Sequence, residues 1–448
     1  MLIISLVVIA VLSPVSTFDP SWGSLDNRPL PEWYDDAKVG ILIHWGVYSV
    51  PAYVSEWFWW LWEVRENPKV TKFMRAHYPP FWTYADFARD FTAEFFEPNE
   101  WAKMFRDSGA KYVVMTAKHH DGYTLWPSMY SHNWNALEVG PKRDLVGDLA
   151  FAVRSYGLKF GVYYSLYEWY NPQWLEDKKN NFGTFYYSQC KVQAELHDLV
   201  SRYSPDIIWS DGDLAPETYW NSTNFLAWLY KEKANTVVND RWGSGTLCKH
   251  GDFFTCGNGF TPGIEFPHKF ENVFSLDDSS FGYRRELDPV NVMSIENLLE
   301  KIVTTVACNG NVLINIGARS DGVIPLIFQE RLEQMGQWFK TNAEAIHGTR
   351  PWMNVRDTVS PEIWFTQKTS VIYAFMRTWP ESGTDEPYRL TIGTVNSSVV
   401  PQVSKVVLLN TPLVNLKHTL SALGLTIELP KLSPDYSARW VWVLRIQC

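Results

Sequence analysis

The chain has 448 residues, 46% of them hydrophobic and 20% charged, and its formal net charge is −9. This composition is typical of a folded globular protein, and the length suits one large domain plus a smaller one. The acidic balance argues against a nucleic-acid partner, because nucleic acids are bound by basic surfaces. The 23 Trp residues and the 16% aromatic content are high, and aromatic faces serve either as core side chains or as stacking surfaces for sugar rings.

The N-terminus is a mostly apolar run from Met1 to Thr17, which predicts a cleaved signal peptide because it is short for a membrane span and ends in small residues. No later stretch is apolar and long enough to predict a span. In a secreted protein, two N-glycosylation acceptor patterns, at Asn221 and Asn396, predict glycosylation sites. Among five cysteines, Cys248 and Cys256 are close enough for a local disulfide.

From about residue 35 to residue 345, short apolar runs alternate with amphipathic helical patterns. This repetition predicts a (β/α) barrel, and an irregular one, since fewer than eight strands are clear. An open doubly wound sheet is the structural alternative, although no Gly-rich phosphate loop follows any strand. The predicted strands are Val39–Ile43, Tyr112–Thr116, Phe160–Tyr164, Asp206–Trp209, Thr236–Val238 and Val312–Ile316. The predicted helices are Asn99–Ser108, Val146–Tyr156, Thr184–Arg202, Asn224–Lys231, Ser294–Cys308 and Pro325–Asn342.

After about Gly348 the pattern changes to alternating segments separated by Pro, Gly, Asn and Ser clusters, which predicts an antiparallel β-sandwich domain. The predicted strands there are Glu362–Thr366, Ser370–Met376, Ser404–Leu409 and Ala438–Leu444. The expected organisation is a signal peptide over residues 1–17, a catalytic barrel over 18–347 and a C-terminal β-sandwich over 348–448.

Several predicted strands end in polar groups. These ends are His44-Trp45-Gly46, Lys118-His119-His120-Asp121-Gly122, Tyr163-Tyr164, Trp209-Ser210-Asp211-Gly212 and Asn239-Asp240-Arg241-Trp242-Gly243. In a barrel the carboxyl ends of the strands meet at one face, where the chemistry of such folds is found. Imidazoles, an Arg, a Tyr and Trp faces suit a sugar, and a carboxylate such as Asp211 can attack an anomeric carbon. A zinc site through His44, His119 and His120 is the disfavoured alternative, because adjacent residues of a strand point to opposite faces.

The ordered motifs closely resemble those of the α-L-fucosidases, a family of retaining glycoside hydrolases. Beyond the strand ends, the matching segments are Trp22-Gly23-Ser24-Leu25, Ser55-Glu56-Trp57-Phe58-Trp59-Trp60, Ala110-Lys111-Tyr112, Arg143-Asp144-Leu145-Val146-Gly147, Trp220-Asn221-Ser222-Thr223-Asn224-Phe225, Ser280-Phe281-Gly282-Tyr283-Arg284-Arg285 and Asn311-Val312-Leu313-Ile314-Asn315-Ile316-Gly317. The resemblance covers the barrel region and, more loosely, the C-terminal domain, and it is strongest to the animal lysosomal and secreted enzymes.

The resemblance implies a catalytic barrel followed by a β-sandwich, which removes terminal α-L-fucose from glycans or glycoproteins with retention and without a metal or cofactor. It implies that Asp211 is the nucleophile. It implies fucose-binding roles for eight residues, namely His44, Glu56, Trp57, His119, His120, Tyr163, Trp209 and Arg241. It also implies the secretory pathway, with a lysosomal or secreted destination, and leaves open assembly into a homo-oligomer.

The acid/base position departs from the family pattern. Aligned through Cys256, the chain carries Gly257-Asn258 where the animal enzymes carry two acidic residues, and neither residue can donate and reclaim a proton. Glu271, in a His268-Lys269-Phe270-Glu271 segment that resembles the family's His-Lys-Trp-Glu signature, is therefore the expected acid/base, with Asp252 and Glu265 as other choices. The alternative function is a catalytically impaired, lectin-like protein that binds fucose.

Overall fold

The computed structural model describes residues 18–379, 388–409, 415–430 and 440–448, so the predicted signal peptide lies outside the described residues. The α-helices are α1 (Trp22–Leu25), α2 (Glu32–Ala37), α3 (Pro68–His77), α4 (Pro98–Asp107), α5 (Leu145–Ser155), α6 (Pro172–Lys179), α7 (Ala194–Tyr203), α8 (Glu217–Trp220), α9 (Ser222–Glu232), α10 (Ile295–Ala307) and α11 (Leu326–Asn342). No described helix is long and apolar enough to cross a membrane.

Seven strands form one parallel sheet in the order β5-β4-β3-β2-β1-β7-β6. They are β1 (Val39–His44), β2 (Tyr112–Lys118), β3 (Lys159–Ser165), β4 (Ile207–Asp211), β5 (Val237–Val238), β6 (Phe270–Ser275) and β7 (Gly310–Gly317). Strand β2 is buried at every position, as the apolar run predicts for a strand covered by helices. The predicted irregular (β/α) barrel is confirmed.

The gap between the edge strands β5 and β6 is bridged by a short segment. Asp252 N donates to Val238 O at 3.1 Å, and Phe254 N donates to Lys269 O at 2.9 Å. Phe254 O accepts in turn from Glu271 N at 2.8 Å. These backbone hydrogen bonds connect the two edges without a regular eighth strand, which explains why fewer than eight strands were readable in the sequence.

The prediction missed β6, whose sequence is Phe-Glu-Asn-Val-Phe-Ser. Glu271 and Asn272 make this segment read as polar, yet both side chains are fully buried. Glu271 is tolerated because Tyr34 donates a hydrogen bond to it, and Asn272 because its Nδ2 donates to Thr305 Oγ1 on α10 at 3.0 Å.

The C-terminal region contains a five-stranded antiparallel sheet in the order β12-β15-β10-β9-β8 and a three-stranded sheet in the order β11-β14-β13. Their strands are β8 (Arg350–Arg356), β9 (Ile363–Lys368), β10 (Val371–Met376), β11 (Tyr388–Ile392), β12 (Lys405–Leu408), β13 (His418–Ser421), β14 (Gly424–Leu429) and β15 (Trp442–Gln447). The two sheets share one apolar core, so the predicted antiparallel sandwich is confirmed. The start of the predicted strand Ala438–Leu444 lies outside the described residues.

Strand β10 holds the sandwich against the barrel. Alternate residues of this strand face opposite sides of the sheet, and all six are buried. Ile372 and Ala374 belong to the core between the two sheets, whereas Tyr373 and Phe375 join the main core of the barrel. The sheet is therefore covered on both faces.

Candidate active site

A cavity of about 310 Å³ opens at the carboxyl ends of the barrel strands. Its lining consists of Leu42, His44, Glu56, Trp57, His119, His120, Tyr163, Tyr167, Trp209, Asp211, Asp213, Leu214, Arg241, Asn258, Val273 and Phe281. Parallel strands bring their carboxyl ends to one face, which is why residues distant in the chain meet there. The proposed nucleophile and all eight predicted fucose-binding residues lie on this one cavity.

Asp211 is the last residue of β4, and its side chain is 17% exposed. Tyr163 donates its hydroxyl hydrogen to Asp211 Oδ2 at 2.8 Å. Arg241 Nη1 lies 3.6 Å from Asp211 Oδ1, and His120 Nε2 lies 3.8 Å from Asp211 Oδ2. Burial, assisted by the Asp211 charge, raises the pKa of Tyr163 well above its usual value, so the phenol keeps its proton and orients the carboxylate.

The residue after the carboxylate has to be glycine. A Cβ atom at Gly212 would lie 2.2 Å from Leu166 Cδ1, which is too close for any real contact. The absence of a side chain lets the chain leave β4 against Leu166 and keeps Asp211 at the strand end. Packing against Leu166 therefore explains why a glycine follows Asp211 in the sequence.

Arg241 is fixed by contacts on several sides of its guanidinium group. Its Nε donates to Thr255 Oγ1 at 3.0 Å, and its Nη2 donates to Asn258 Oδ1 at 2.6 Å. The guanidinium carbon lies 4.7 Å from the centre of the Trp209 ring, a cation–π distance. The positive charge is therefore held beside Asp211, where it can compensate negative charge.

The three imidazoles are neutral hydrogen-bonding groups. Burial lowers the pKa of His44, lowers that of His119 well below its usual value and lowers that of His120 to about 4. His44 Nδ1 lies 2.7 Å from Asn315 Oδ1, and His120 Nδ1 lies 2.6 Å from Ser165 Oγ. These partners fix the rings of His44 and His120, and the Tyr167 hydroxyl lies 3.2 Å from His120 Nε2. Among the described residues, no group of three or more His, Cys, Asp or Glu side chains could hold a metal ion.

Glu56 and Trp57 reach the cavity from a loop after β1. Glu56 Oε2 accepts hydrogen bonds of 3.0 Å from Ser280 Oγ and from the backbone N–H groups of Phe281 and Gly282. Trp57 is 36% exposed, so part of its indole face is free for a ligand. Phe58 is fully buried in the core. The loop therefore supplies one fixed carboxylate and one aromatic face.

The structure does not bring Glu271 into the cavity. Its side chain is completely buried, Tyr34 and Tyr112 donate their hydroxyl hydrogens to Oε2 at 2.8 and 2.5 Å, and Trp209 Nε1 donates to Oε1 at 3.0 Å. Burial raises the pKa of this carboxyl group. The expected acid/base thus lies beneath Trp209, which separates it from the space where a leaving group would be.

The other two sequence choices for the acid/base also lie off the cavity lining. Asp252 is buried and paired with Arg28 at 2.6 Å, while Glu265 is exposed elsewhere. Asn258 does line the cavity, where the resemblance placed it. Sequence reasoning missed Asp213, although it stands only two residues after Asp211.

Fold and site together define a (β/α)-barrel protein with a sugar-sized cavity that combines carboxylates, neutral imidazoles and aromatic faces. A family model described as Alpha-L-fucosidase matches residues 7–344, and one described as Alpha-L-fucosidase C-terminal domain matches residues 356–447. The chain therefore belongs to the alpha-L-fucosidase family.

Relatives and solved structures match over nearly the whole chain. The chain is 47% identical over 439 residues to the plasma alpha-L-fucosidase of Homo sapiens, covering 96% of this chain and 92% of that protein. It is 45% identical over 438 residues to the tissue alpha-L-fucosidase of Homo sapiens, covering 97% and 92%. The Thermotoga maritima alpha-fucosidase in complex with a mechanism-based inhibitor matches with a TM-score of 0.83 and 32% identity, covering 96% of this chain and all of that one.

Proposed function

We propose that this protein is an α-L-fucosidase that hydrolyses terminal α-L-fucose with retention of configuration. The observation that carries the proposal is the placement of Asp211 at the end of β4, held by Tyr163 and accompanied by Arg241 on a cavity large enough for one sugar. Family membership supports the same reaction, because the matched relatives are named alpha-L-fucosidases.

Asp211 serves as the nucleophile in this mechanism. Its carboxylate oxygen bonds to the anomeric carbon while the glycosidic bond breaks, which gives a fucosyl ester that water then hydrolyses. The Tyr163 hydroxyl and the Arg241 guanidinium orient the attacking carboxylate. The Arg241 charge also stabilises Asp211 when the ester is cleaved and the carboxylate returns.

The remaining groups bind the sugar. The neutral rings of His44, His119 and His120 hydrogen-bond hydroxyls, Glu56 accepts from a hydroxyl, and the Trp57 face covers an apolar sugar surface. Trp209 closes the floor of the cavity below Arg241.

Fucosylated glycans or glycoproteins are the expected substrates, in the secretory pathway and with a lysosomal or secreted destination. The Cys248–Cys256 disulfide supports an oxidising compartment. Asn221 is exposed, and Asn396 lies beside exposed serines, which supports both as glycosylation sites. The matched plasma and tissue enzymes support the same destinations.

A fucose-binding protein without turnover, the alternative raised by Gly257-Asn258, is not favoured. The cavity keeps the nucleophile and every predicted sugar-binding residue, and it carries a carboxyl group, Asp213, in addition to Asp211 and Glu56. The cavity is therefore complete enough for chemistry despite the altered loop.

The test is hydrolysis of 4-nitrophenyl α-L-fucoside by the parent chain and by Asp211→Asn. The parent should turn over and first release α-L-fucose, as NMR of the nascent product can show. Asp211→Asn should lose activity at unchanged thermal stability. A 2-fluoro-fucosyl fluoride should label the parent on the peptide that contains Asp211. A parent that neither turns over nor becomes labelled would refute the proposed function.

A further inference from the structure

Retention through Asp211 requires a second carboxyl group on the same cavity. This group must protonate the leaving oxygen and later remove a proton from water, and in retaining enzymes it lies about 5–5.5 Å from the nucleophile. Three carboxyl groups line the cavity in the described structure, those of Glu56, Asp211 and Asp213. With Asp211 as nucleophile, the choice is between Glu56 and Asp213.

The carboxylate of Glu56 is held in one position as a hydrogen-bond acceptor. Three donors converge on its Oε2 at 3.0 Å, two of them backbone N–H groups that cannot move away. The residue is only 7% exposed. This arrangement suits a constant hydrogen bond to a sugar hydroxyl better than a group that exchanges its proton with a leaving oxygen and then with water.

Asp213 has the opposite surroundings. It is exposed at the cavity mouth, and within the described residues its side chain makes no hydrogen bond or ion pair with another residue. Its carboxyl group is therefore free to turn toward a leaving group and is reached by water. Gly212 alone separates it from Asp211, so both carboxyl groups start from the end of β4.

The surroundings of Asp213 favour the protonated form of its carboxyl group. Partial removal from water raises the pKa of Asp213, and the Asp211 and Asp240 charges raise it further, while the Arg241 charge opposes them. The Tyr167 phenol, which also faces this pair, has its own pKa raised and stays protonated. A carboxylate beside a carboxyl group that holds its proton is the acid/base arrangement of many hydrolases.

We propose that Asp213 is the catalytic acid/base of this enzyme, in place of the carboxyl group missing at Gly257-Asn258. The proposal rests on the proposed function. When Asp211 bonds to the anomeric carbon and the glycosidic bond breaks, the Asp213 carboxyl group gives its proton to the oxygen that leaves as an alcohol. The resulting Asp213 carboxylate then takes a proton from water as the water oxygen displaces Asp211 from the anomeric carbon. Fucose is released and both aspartates return to their starting forms.

Asn258 takes another role in this arrangement. It lies on the cavity, and its Oδ1 accepts the hydrogen bond from Arg241 at 2.6 Å. The amide thus fixes the guanidinium beside Asp211, and proton transfer is left to Asp213. In this arrangement the loop residue positions Arg241, and the carboxyl group of Asp213 takes over the proton transfer.

The test compares Asp213→Asn with the parent on aryl α-L-fucosides of graded leaving-group pKa and on a fucosylated disaccharide. We expect kcat/KM for the disaccharide to fall about 10²–10⁴-fold, the range for lost general acid–base catalysis, and to fall far less for the most acidic phenols. The alkaline limb of the pH profile should flatten. Azide should restore turnover in Asp213→Ala and give α-L-fucosyl azide.

Asp278→Asn is the matched control, because it removes another exposed carboxylate, one that lines the pocket beside the cavity but not the cavity itself. It should keep the parent's leaving-group dependence and show no azide effect. Parent-like kcat/KM for Asp213→Asn on the disaccharide would overturn the assignment, and so would azide rescue in Glu56→Ala but not in Asp213→Ala. If the parent itself neither turns over nor becomes labelled by a 2-fluoro-fucosyl fluoride, the proposed function fails. That outcome is measured on the parent alone, so it is distinct from a failure of the Asp213 assignment, which is measured on the variants.

Discussion

Replacing Glu271 tests whether this residue supports the cavity from below or transfers protons to and from the substrate. Tyr34, Tyr112 and Trp209 all donate hydrogen bonds to this one buried carboxyl group. Trp209 in turn carries the Arg241 guanidinium on its ring. Loss of Glu271 should therefore act first on stability and reach catalysis only through the position of Trp209.

The loss of stability in these variants depends on how many buried hydrogen-bond donors are left without an acceptor. In Glu271→Ala, Tyr112 can turn to Val312 O, which lies 3.3 Å from its hydroxyl, but Tyr34 and Trp209 lose their partner. A buried unsatisfied donor costs about 1–3 kcal/mol, so the loss is about 2–6 kcal/mol before any cavity is counted. Against a total stability of about 5–15 kcal/mol this is severe. Glu271→Gln keeps one acceptor oxygen for the two tyrosines but turns an N–H group toward Trp209, so it should cost about 1–3 kcal/mol.

The assay combines denaturant unfolding of both variants with hydrolysis of a fucosylated disaccharide. Glu271→Gln should stay within about tenfold of the parent in kcat/KM, without azide rescue. Burial raises the pKa of Glu271, so the folded state holds this proton to higher pH than the unfolded state. The stability from this group is accordingly lost as pH rises through that raised pKa, and Glu271→Gln should lack that loss. A 10²–10⁴-fold drop at unchanged stability, restored by azide, would refute the reasoning and make Glu271 the acid/base.

Two further predictions concern groups away from the cavity. Arg28→Leu should lower the free energy of unfolding by about 3–5 kcal/mol because it leaves Asp252 buried without its partner. Lys103→Ala, which breaks an exposed pair with Asp107, should leave the same urea titration nearly unchanged. Burial lowers the pKa of His347 to about 4, so the stability from its neutral form is lost as pH falls from about 6.5 to about 4. His347→Gln should flatten that acid-side loss in unfolding measured across this pH range, and parallel curves for variant and parent would contradict it.

The sequence predicted the barrel strands correctly where the strands are apolar throughout. Strand β2 was readable because helices cover it and every side chain is buried. Strand β6 was not, because Glu271 and Asn272 find their partners on distant elements that no local pattern reveals. A buried carboxyl group and a surface carboxyl group have the same local sequence signal.

The same limit applies to the acid/base. The family signature pointed to Glu271, but only the folded chain shows Trp209 lying between that carboxyl group and the cavity. Asp213 carried no signal of its own beyond its place after Asp211. Its importance became visible once the cavity lining and the hydrogen bonds that fix Glu56 were known.

The sequence by itself determined the barrel, the sandwich and the placement of Asp211, because strand periodicity and a polar group after an apolar run are local properties of the chain. Through motifs matched in order, it also predicted a set of residues that the structure brings together on one cavity. Only the tertiary structure decided which carboxyl groups reach the cavity and which are buried beneath it. Burial and hydrogen-bond partners come from residues hundreds of positions apart, as Tyr34 and Glu271 are, and their meeting is fixed by the closure of the barrel.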